Sequence, residues 1–552
     1  MAATRIYSSR PACLAQVLFA SLLAVSACAD GLVQPLFLGD DDRILVLAPH
    51  PDDESIAAGG LIQEALNLDL PVKVCFFTMG DNNELSFLLT RKHPVLLPGA
   101  VREMGVMRQN EALAATARLG VPAEQVVFLG YPDFGTLSIW LGHWRDVPPY
   151  RSMLTRANAV PYPDVLTPGS AYAGEDVVDD LVEVIRDFRP TILVVSHPAD
   201  HNVDHRALYL FARVALWDLE PEGIFPRILA YPVHFTQWPE PRRPHPMRPA
   251  TPPHFLADWS EWIEFDLAPY QVETKQDAIR QHRSQYRYSS RYLDSFVRKS
   301  EIYGDLQSLE MPGAVGSVER DELDDSQFRA DATLAEDLFG GDSEASKTIA
   351  GQVAEEMRNL AEDDNAFARQ AITGDGNLLA LSFQFDKPLS SHAELAVQLF
   401  GYRPDKAFGD MPKIEIVARP GGTVSVHDLR ANLPDSSVET LPGTDREISI
   451  RVPLGVLGSP DRILAGAQLS KGELPVDWTA WRVIDLRGGM EPPPPSVMPS
   501  PPLQPPKDAP AEEVRTAPPP SDAAPVGKLI PRVRLPKSNV PDRTEANEPV
   551  FW

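Results

Sequence analysis

Cysteine is scarce in this sequence of 552 residues. It occurs only at Cys13, Cys28 and Cys75. These positions are too few and too far apart for a disulfide framework or for the paired cysteines of a structural zinc site. Cross-links of either kind are therefore excluded as the basis of the fold. At this length the chain can instead bury the cores of two domains.

Positive charge is also in short supply. The sequence has 51 Lys and Arg residues against 77 Asp and Glu residues, which gives a formal net charge of −26. A protein that binds nucleic acid through its phosphates needs an excess of basic side chains. The composition therefore argues against a nucleic-acid partner and predicts an acidic surface.

Long apolar runs are missing apart from one near the N-terminus. The run from Ala12 to Val25 follows two arginines, has the proportions of a signal peptide and is too short for a transmembrane helix. We therefore predict export. Val25 to Cys28 resembles the lipobox of bacterial lipoproteins, which predicts lipidation of Cys28 and a membrane anchor in the cell envelope, with residues 1–28 as the signal and lipobox region. Cleavage at Ala27-Cys28-Ala29 is the alternative and would give a periplasmic or secreted protein.

Short apolar runs alternate with segments of helical periodicity between Arg43 and Tyr303. The predicted strands are Arg43–Leu47, Val72–Phe77, Val126–Leu129, Thr191–Val195 and Ile228–Val233. The predicted helices cover residues 55–68, 101–119, 176–188, 204–219 and 272–303. This alternation predicts an α/β fold with a Rossmann-like parallel sheet covered by helices.

A cluster of potential metal ligands follows the first predicted strand. Its sequence is Ala48-Pro49-His50-Pro51-Asp52-Asp53-Glu54. Open α/β sheets bind ligands where loops leave the carboxyl ends of parallel strands. The cluster therefore indicates an active-site edge, with His50 and Asp53 on a strand-to-helix turn.

A second cluster, Ser196 to His205, follows the fourth predicted strand. His50, Asp53 and His205 would together supply two imidazoles and one carboxylate, a set that holds catalytic zinc and leaves a coordination position open. Iron or cobalt could occupy the same three ligands. Adjacent side chains on a turn diverge, so Asp52 is predicted to act as the base that takes a proton from water.

The two clusters also carry a family resemblance. The first resembles the A-H-P-D-D-E signature of the LmbE/PIG-L family of zinc-dependent N-deacetylases, and Asp200 to His205 resembles the second motif of that family. Four more segments between residues 40 and 305 are similar and fall in the family's order: Arg108–Glu111, Phe128–Asp133, Tyr231–His234 and Lys275–Gln285. Several ordered motifs are far more specific than any one of them.

The resemblance implies a role for each matching position. These positions are His50, Asp53 and His205 for the metal ligands, Asp52 for the general base, and Arg108 and Asp133 for contacts with the sugar.

The second motif departs from the family at one position. Many members have His-Pro-Asp-His there, and the first His helps to stabilise the tetrahedral oxyanion, whereas this chain has Asn202 in that place with His201 one residue before. Either His201 or Asn202 is therefore predicted to donate to the oxyanion. Loss of one such donor typically costs about 3–4 kcal/mol of transition-state stabilisation.

The composition changes after Gly304. We predict an acidic linker at residues 306–343 and a helix at 345–360, the latter opening a domain at 345–489 that continues as an all-β, sandwich-like fold. Its predicted strands are Leu378–Phe385, Ala393–Phe400, Lys413–Ala418, Thr423–Val426, Glu447–Val452 and Trp478–Ile484. The architecture is similar to modules that bind carbohydrate, which suggests a cell-envelope glycan as a partner. Residues 490–552 are predicted to form a disordered Pro-rich tail.

Together these features predict a zinc-dependent N-deacetylase domain at residues 40–305. Its predicted substrate is an N-acetylglucosamine-type unit of an envelope glycan or glycolipid. One alternative is a non-catalytic glycan-binding protein on a deacetylase scaffold, which the Asn202 departure suggests. Another is an amidohydrolase that acts on a non-sugar amide.

The predicted lipid anchor is testable with the Cys28→Ala variant. Labelled palmitate should enter the parent protein but not the variant, and the variant should leave the membrane fraction because each buried CH₂ of a lipid chain contributes about 0.8 kcal/mol to membrane binding. Cys13→Ala is the matched control and should behave as the parent does. Membrane retention of the Cys28→Ala variant would contradict lipidation.

Overall fold

The computed structural model describes residues 33–82, 97–235, 238–257, 259–311, 367–374, 376–441, 443–472 and 474–487. The signal and lipobox region at 1–28, most of the predicted linker, the predicted helix at 345–360 and the Pro-rich tail lie outside these residues. The predicted domain limits therefore stay predictions. Within the described residues, none of the helices has the length and apolar character needed to cross a membrane.

Among the described residues, five parallel strands form a sheet in the N-terminal half. They are β1 (Ile44–Ala48), β2 (Val72–Thr78), β3 (Val126–Tyr131), β4 (Ile192–Ser196) and β5 (Arg227–Tyr231). Their order is β3-β2-β1-β4-β5. Every residue of β1 and β4 is buried, as expected for central parallel strands that are flanked by helices.

Seven α-helices are present in the part of the chain that is described. They are α1 (Asp53–Asn67), α2 (Pro98–Leu119), α3 (Thr136–Gly142), α4 (Gly174–Phe188), α5 (Val203–Leu219), α6 (Pro269–Ile279) and α7 (Arg283–Leu293). Helix α2 begins at a proline and ends at Gly120, whose φ of +97° suits a glycine cap. The predicted Rossmann-like α/β fold is confirmed.

The strand order places the two motifs side by side. Strand β1 pairs with β4 in parallel, with Val46 opposite Val194. Strand β1 also pairs with β2, so the chain changes direction across the sheet at β1. Ligands bind outside the carboxyl ends of the strands at such a switch point. The first cluster follows β1 and the second follows β4, which brings both to this edge.

The predicted helix at residues 272–303 is wrong. The segment contains α6 and α7, which are separated near His282, and it ends in strand β7 (Ser300–Tyr303). This strand pairs antiparallel with β6 (Ile263–Asp266), which also pairs with a two-residue strand at Gln34–Pro35.

Tertiary contacts of Glu301 explain the strand at the end of that segment. The two carboxylate oxygens of Glu301 accept the amide N–H groups of Gly60 and Leu61 at 2.7 and 2.9 Å. The Lys275 ammonium lies 2.7 Å from the same carboxylate. These contacts stabilise the buried Glu301 charge within strand β7. Periodicity alone carries no information on such a contact.

Two sheets make up the described part of the C-terminal half. Strands β9 (Phe367–Gly374), β10 (Leu378–Phe385), β16 (Glu447–Pro453) and β15 (Glu439–Leu441) form one sheet, in that order. The other contains β14 (Ala431–Leu433), β13 (Thr423–Asp428), β12 (Lys413–Arg419), β11 (Ala393–Tyr402), β17 (Arg462–Lys471), β19 (Arg482–Asp485) and β8 (Leu309–Glu310), with β18 (Leu474–Trp478) on β17. Apolar side chains from both sheets share one core, which confirms a sandwich-like β-rich region.

Several details of the strand predictions in this region are wrong, and strands β9, β14 and β15 were not predicted. The predicted strand Trp478–Ile484 is two strands, because β18 ends at Trp478 and β19 begins at Arg482. Strand β17, which pairs with β11, β18 and β19, was not predicted, since its alternation is weakened by small residues. Gly466 is one of them, and a Cβ atom there would lie 2.8 Å from the Trp481 ring.

A shared aromatic core joins the β-rich region to the parallel-sheet region. Trp140 of α3 lies 5.0 Å from Phe211 of α5, measured between ring centroids. The same indole lies 5.4 Å from Phe400, 5.4 Å from Phe408 and 6.0 Å from Trp481. These five rings are buried, so neither region closes its core without the other.

Charged contacts connect the same two regions. Arg145 lies 2.5 Å from Asp428, and Arg462 lies 2.6 Å from Glu220. The Lys413 ammonium, which is buried, lies 4.9 Å from the centre of the Trp144 ring. The residues between 33 and 487 that are described therefore belong to one compact unit.

We expect Trp481→Ala to destabilise both regions together. Removing this buried indole should lower the free energy of unfolding by about 3–5 kcal/mol. Denaturant unfolding followed by tryptophan fluorescence and by far-UV circular dichroism should show coincident transitions in the parent and the variant. Met153→Ala, at an 86% exposed position, is the control and should change stability by less than about 0.5 kcal/mol. Two separate transitions in the parent would contradict the shared core.

Candidate functional site

The first cluster forms the turn between β1 and α1. Asp53 is the first residue of α1, and its Oδ2 accepts the backbone N–H of His50 at 2.9 Å. This bond folds the turn back so that the two side chains meet. Asp52 has a φ of 141°, a backbone conformation that L-residues rarely adopt. Its carboxylate therefore points differently from that of Asp53.

The second cluster forms the turn between β4 and α5. Asp200 Oδ1 accepts the N–H of Asn202 at 2.8 Å, and Asn202 Oδ1 accepts the N–H of Asp204 at 2.8 Å. Asn202 is thereby the N-cap of α5. His205 lies in the first turn of this helix and is fully buried.

The predicted metal ligands come together at the edge of the sheet. His50 Nδ1 lies 3.4 Å from Asp53 Oδ2, and His205 Nε2 lies 3.2 Å from the same oxygen. The two imidazole centroids are 5.3 Å apart. One ligand atom from each of the three residues could thus contact one ion, as the sequence predicts. The assignment as ligands stays a prediction.

The second nitrogen of each imidazole faces another carboxylate. His50 Nε2 lies 3.2 Å from Asp133 Oδ1 and 3.2 Å from Asp204 Oδ2. His205 Nδ1 lies 3.2 Å from Asp200 Oδ2. Metal-binding histidines commonly use one nitrogen for the metal and the other for such an orienting acceptor. This arrangement fits His50 and His205 as metal ligands.

Asp204 is itself held firmly. Its carboxylate accepts the N–H of Phe134 at 2.6 Å, the N–H of Thr136 at 3.2 Å and the Thr136 hydroxyl. These donors lie after β3, so a third strand end contributes to the site. Asp133, predicted to contact the sugar, lies in the same segment beside His50. Its contact with a sugar stays a prediction.

The electrostatics of the pocket favour positive charge between its carboxylates. Burial by itself lowers the pKa of His205, but the charges of Asp200 and Asp53 raise it to about 9. Burial likewise opposes a charge on His50, yet Asp133, Asp204 and Asp53 raise its pKa well above the ordinary value.

The donor set fits a divalent cation. Neither nitrogen of His205 makes a well-aligned hydrogen bond within the described part of the chain, although carboxylate oxygens lie 3.2 Å from both. An ion bound by His50, Asp53 and His205 would supply the missing positive charge and leave both imidazoles neutral. Nitrogen and carboxylate donors suit Zn²⁺ and also iron or cobalt.

Asp52 lies beside this trio but outside it. None of the three groups of potential ligands found in the described residues includes it. Arg108 Nη2 lies 3.6 Å from Asp52 Oδ2 and donates to Pro51 O at 2.7 Å. Burial raises the pKa of the Asp52 carboxyl to about 6, against the opposing charge of Arg108. The position and the pKa both suit a general base.

Arg108 commits several of its donors to the protein. Besides Pro51 O, it donates to Gly80 O at 2.8 Å. The side chain is 4% exposed. These contacts show that it supports the turn that carries Asp52, while its predicted contact with a sugar stays a prediction.

The two predicted oxyanion donors have different surroundings. The side-chain oxygen of Asn202 caps α5. The His201 ring is nearly buried and packs against Phe235 at 5.9 Å and against Trp478 of β18 at 5.4 Å, both measured between centroids. The β-rich region therefore reaches this turn. Which side chain donates to an oxyanion stays open.

Sequence reasoning did not single out two histidines of this neighbourhood. The ring of His234 lies 4.7 Å from that of His205, and burial lowers the pKa of His234 to about 4. His282 lies 2.9 Å from Glu54. Both residues lie in segments with the family resemblance, so that resemblance was the signal available.

Comparison with known proteins agrees with this site. Residues 45–216 match the family model described as "PIG-L: GlcNAc-PI de-N-acetylase". The chain thus contains a PIG-L/LmbE family domain, which confirms the resemblance carried by its two motifs. The matched range includes His50, Asp52, Asp53 and His205.

Two curated relatives show the extent of the similarity. A 1D-myo-inositol 2-acetamido-2-deoxy-alpha-D-glucopyranoside deacetylase from Mycobacterium sp. (strain KMS) is 29% identical over 197 residues, which are 35% of this chain and 56% of that protein. The protein of the same name from Kribbella flavida is 31% identical over 204 residues, 34% of this chain and 61% of its own length. The chain therefore spans little more than half the length of these relatives.

A solved structure is also similar. N,N'-diacetylchitobiose deacetylase from Pyrococcus horikoshii, in complex with an inhibitor, has 18% identity and a TM-score of 0.28, with 45% of this chain and 71% of that chain covered.

Metal binding can be tested without any substrate. After chelation and dialysis, the parent protein should rebind one Zn²⁺, and His205→Ala should weaken Zn²⁺ binding by more than about 100-fold because it removes a ligand. Asp200→Asn should weaken it by about 10–100-fold because it removes an orienting acceptor. His427→Ala in the β-rich region is the control. Competition with a chromophoric chelator measures all four affinities, and unchanged binding in His205→Ala would contradict the predicted site.

Proposed function

We propose that the protein is a metal-dependent hydrolase that removes the N-acetyl group from an N-acetylglucosamine-type sugar unit. The observation that carries this proposal is that the imidazoles of His50 and His205 both approach Asp53 Oδ2, with the Asp52 carboxylate beside them. The family of the domain and the names of its relatives point to the same chemistry.

The reaction is the hydrolysis of an acetamide to acetate and a free amine. A Zn²⁺ ion at the trio would polarise the amide carbonyl and make water a stronger acid. Asp52 takes the proton of the attacking water. It then passes that proton to the nitrogen of the departing amine, so the carboxyl returns to its starting state. His201 or Asn202 donates a hydrogen bond to the negative oxygen that develops on the acetyl carbon.

The remaining parts of the proposal concern the substrate and the place of action. We propose that Arg108 and Asp133 lie near the sugar, and that the substrate belongs to an envelope glycan or glycolipid that the β-rich region also binds. Export and lipidation of Cys28 would place the enzyme at the membrane. The support for these points is the N-terminal sequence and the family resemblance.

Acetate release is the direct test. Protein that lacks residues 1–29 should release acetate when it is supplied with Zn²⁺ and a suitable sugar. The two sugars to test are diacetylchitobiose and the acetylated glucosaminyl-inositol that appears in the names of the relatives. Asp52→Asn should lower kcat by about 10²–10⁴-fold, because it removes the base and keeps the shape of the side chain. Asp41→Asn, at an exposed position before β1, is the matched control and should leave kcat unchanged.

The same assay separates the alternatives. Acylated amino acids included in the panel test for an amidohydrolase of non-sugar amides. Tight binding of the sugars without any acetate release, in parent protein with a full complement of Zn²⁺, would contradict the proposal and favour a glycan-binding scaffold.

A further inference from the structure

Both sides of the peptide bond before Asp52 are held by buried charged side chains. Arg108 Nη2 donates to Pro51 O at 2.7 Å, on one side of this peptide. On the other side, the N–H of Asp52 donates to Glu54 Oε2 at 3.0 Å. Arg108 and Glu54 are 4% and 0% exposed. The orientation of the Asp52 backbone is thus set by two groups that cannot move into solvent.

This restraint opposes a backbone strain. The φ of Asp52 is 141°, a backbone conformation that residues other than glycine rarely adopt and that is strained for them. The conformation persists only where the surroundings enforce it. Without the two hydrogen bonds, the peptide could rotate and carry the Asp52 carboxylate away from the metal-binding trio.

Glu54 depends in turn on His282. Glu54 Oε1 lies 2.9 Å from His282 Nε2 and accepts the hydroxyl of Ser55 at 2.6 Å. A fully buried carboxylate is stable only when its oxygens are paired. His282 is 1% exposed, and its Nδ1 has no hydrogen-bond partner in the described part of the chain. The hydrogen bonding of the His282 imidazole is therefore made through Nε2, which faces Glu54 and Ser55.

The position of His282 is fixed by the break between α6 and α7. Its carbonyl accepts the N–H groups of Gln285 and Tyr286 at 3.0 and 2.7 Å in the first turn of α7. Ser284 donates its N–H and its hydroxyl to Glu111 of α2, at 2.9 and 2.6 Å.

Helix α2 therefore contacts both the peptide before Asp52 and the α6–α7 junction that carries His282. Its Arg108 donates a hydrogen bond to Pro51 O. Its Glu111 accepts the N–H of Ser284, which lies at the start of α7 and two residues after His282. Arg108 and Glu111 are three positions apart and lie on one face of the helix. The three elements that meet here are α1, α2 and the α6–α7 junction.

We propose that His282 is a positioning residue for Asp52, acting through the Glu54 carboxylate to fix the Pro51–Asp52 peptide. This inference rests on the proposed function in one respect, the role of Asp52 as the base. His282 itself lies outside the residues that the family model matches and belongs to none of the groups of potential metal ligands among the described residues.

A pair of substitutions separates the hydrogen bond from the packing. In the full chain, His282→Gln keeps an N–H donor for Glu54, whereas His282→Leu fills similar space without one. We expect His282→Leu to lower kcat for acetate release at least about 10-fold, with KM and Zn²⁺ affinity within about 3-fold of the parent. His282→Gln should restore kcat to within about 3-fold. Tyr286→Phe, in the same helix, is the matched control and should behave as the parent does.

Amide hydrogen exchange tests the same idea without catalysis. In peptides that cover residues 49–55, exchange should be faster in His282→Leu than in the parent and normal in His282→Gln. Faster exchange in His282→Leu, together with no acetate release by the Zn²⁺-loaded parent, would support the positioning role and overturn the proposed function. Unchanged exchange, or equal losses of kcat in the Gln and Leu variants, would overturn the positioning role. If His282→Leu does not fold, His282→Phe takes its place under the same criteria.

Discussion

Buried negative charge is the constraint on which the site depends. Four carboxylates lie within 3.2–3.4 Å of the two imidazole rings at the sheet edge; they are Asp53, Asp133, Asp200 and Asp204. Burying so many like charges is costly unless positive charge lies among them. A divalent ion bound by one nitrogen from each ring would satisfy that need. The remaining carboxylates would then orient the rings and increase their basicity.

The parallel sheet makes this concentration of charge possible. Strands β1 and β4 are direct neighbours, so two motifs that are 150 residues apart in the sequence emerge at one edge. Strand β3 adds Asp133 and the donors that hold Asp204. Strands β1 and β4 are buried along their whole length, and the charged residues of the two motifs begin after they end. In each segment the hydrophobic core and the charged site are therefore neighbours along the chain, but they do not overlap.

The sequence predicted the parts of the structure that local pattern determines. The α/β alternation and the meeting of His50, Asp53 and His205 followed from strand-like runs that end in polar turns. The long helix at 272–303 was wrong because Glu301 is held by contacts that lie more than 200 residues away in the sequence. Strand β17 was missed because its small residues accommodate Trp481 rather than alternate with polar ones. Both failures have one cause, since tertiary contacts are not encoded in the period of a segment.

The same reasoning explains why His282 escaped notice. His282 lies in a segment with the family resemblance, but the sequence of that segment gives the imidazole no particular role until its partner is visible. That partner, Glu54, belongs to the first motif, whose other carboxylates have predicted roles in holding a metal or moving a proton. A strained residue beside a metal site needs a restraint on its backbone as well as a charge on its side chain. Glu54 supplies this restraint, and it does so from a buried position beside His282 at the α6–α7 junction. The first motif therefore depends on His282, a residue that lies far from it in the sequence.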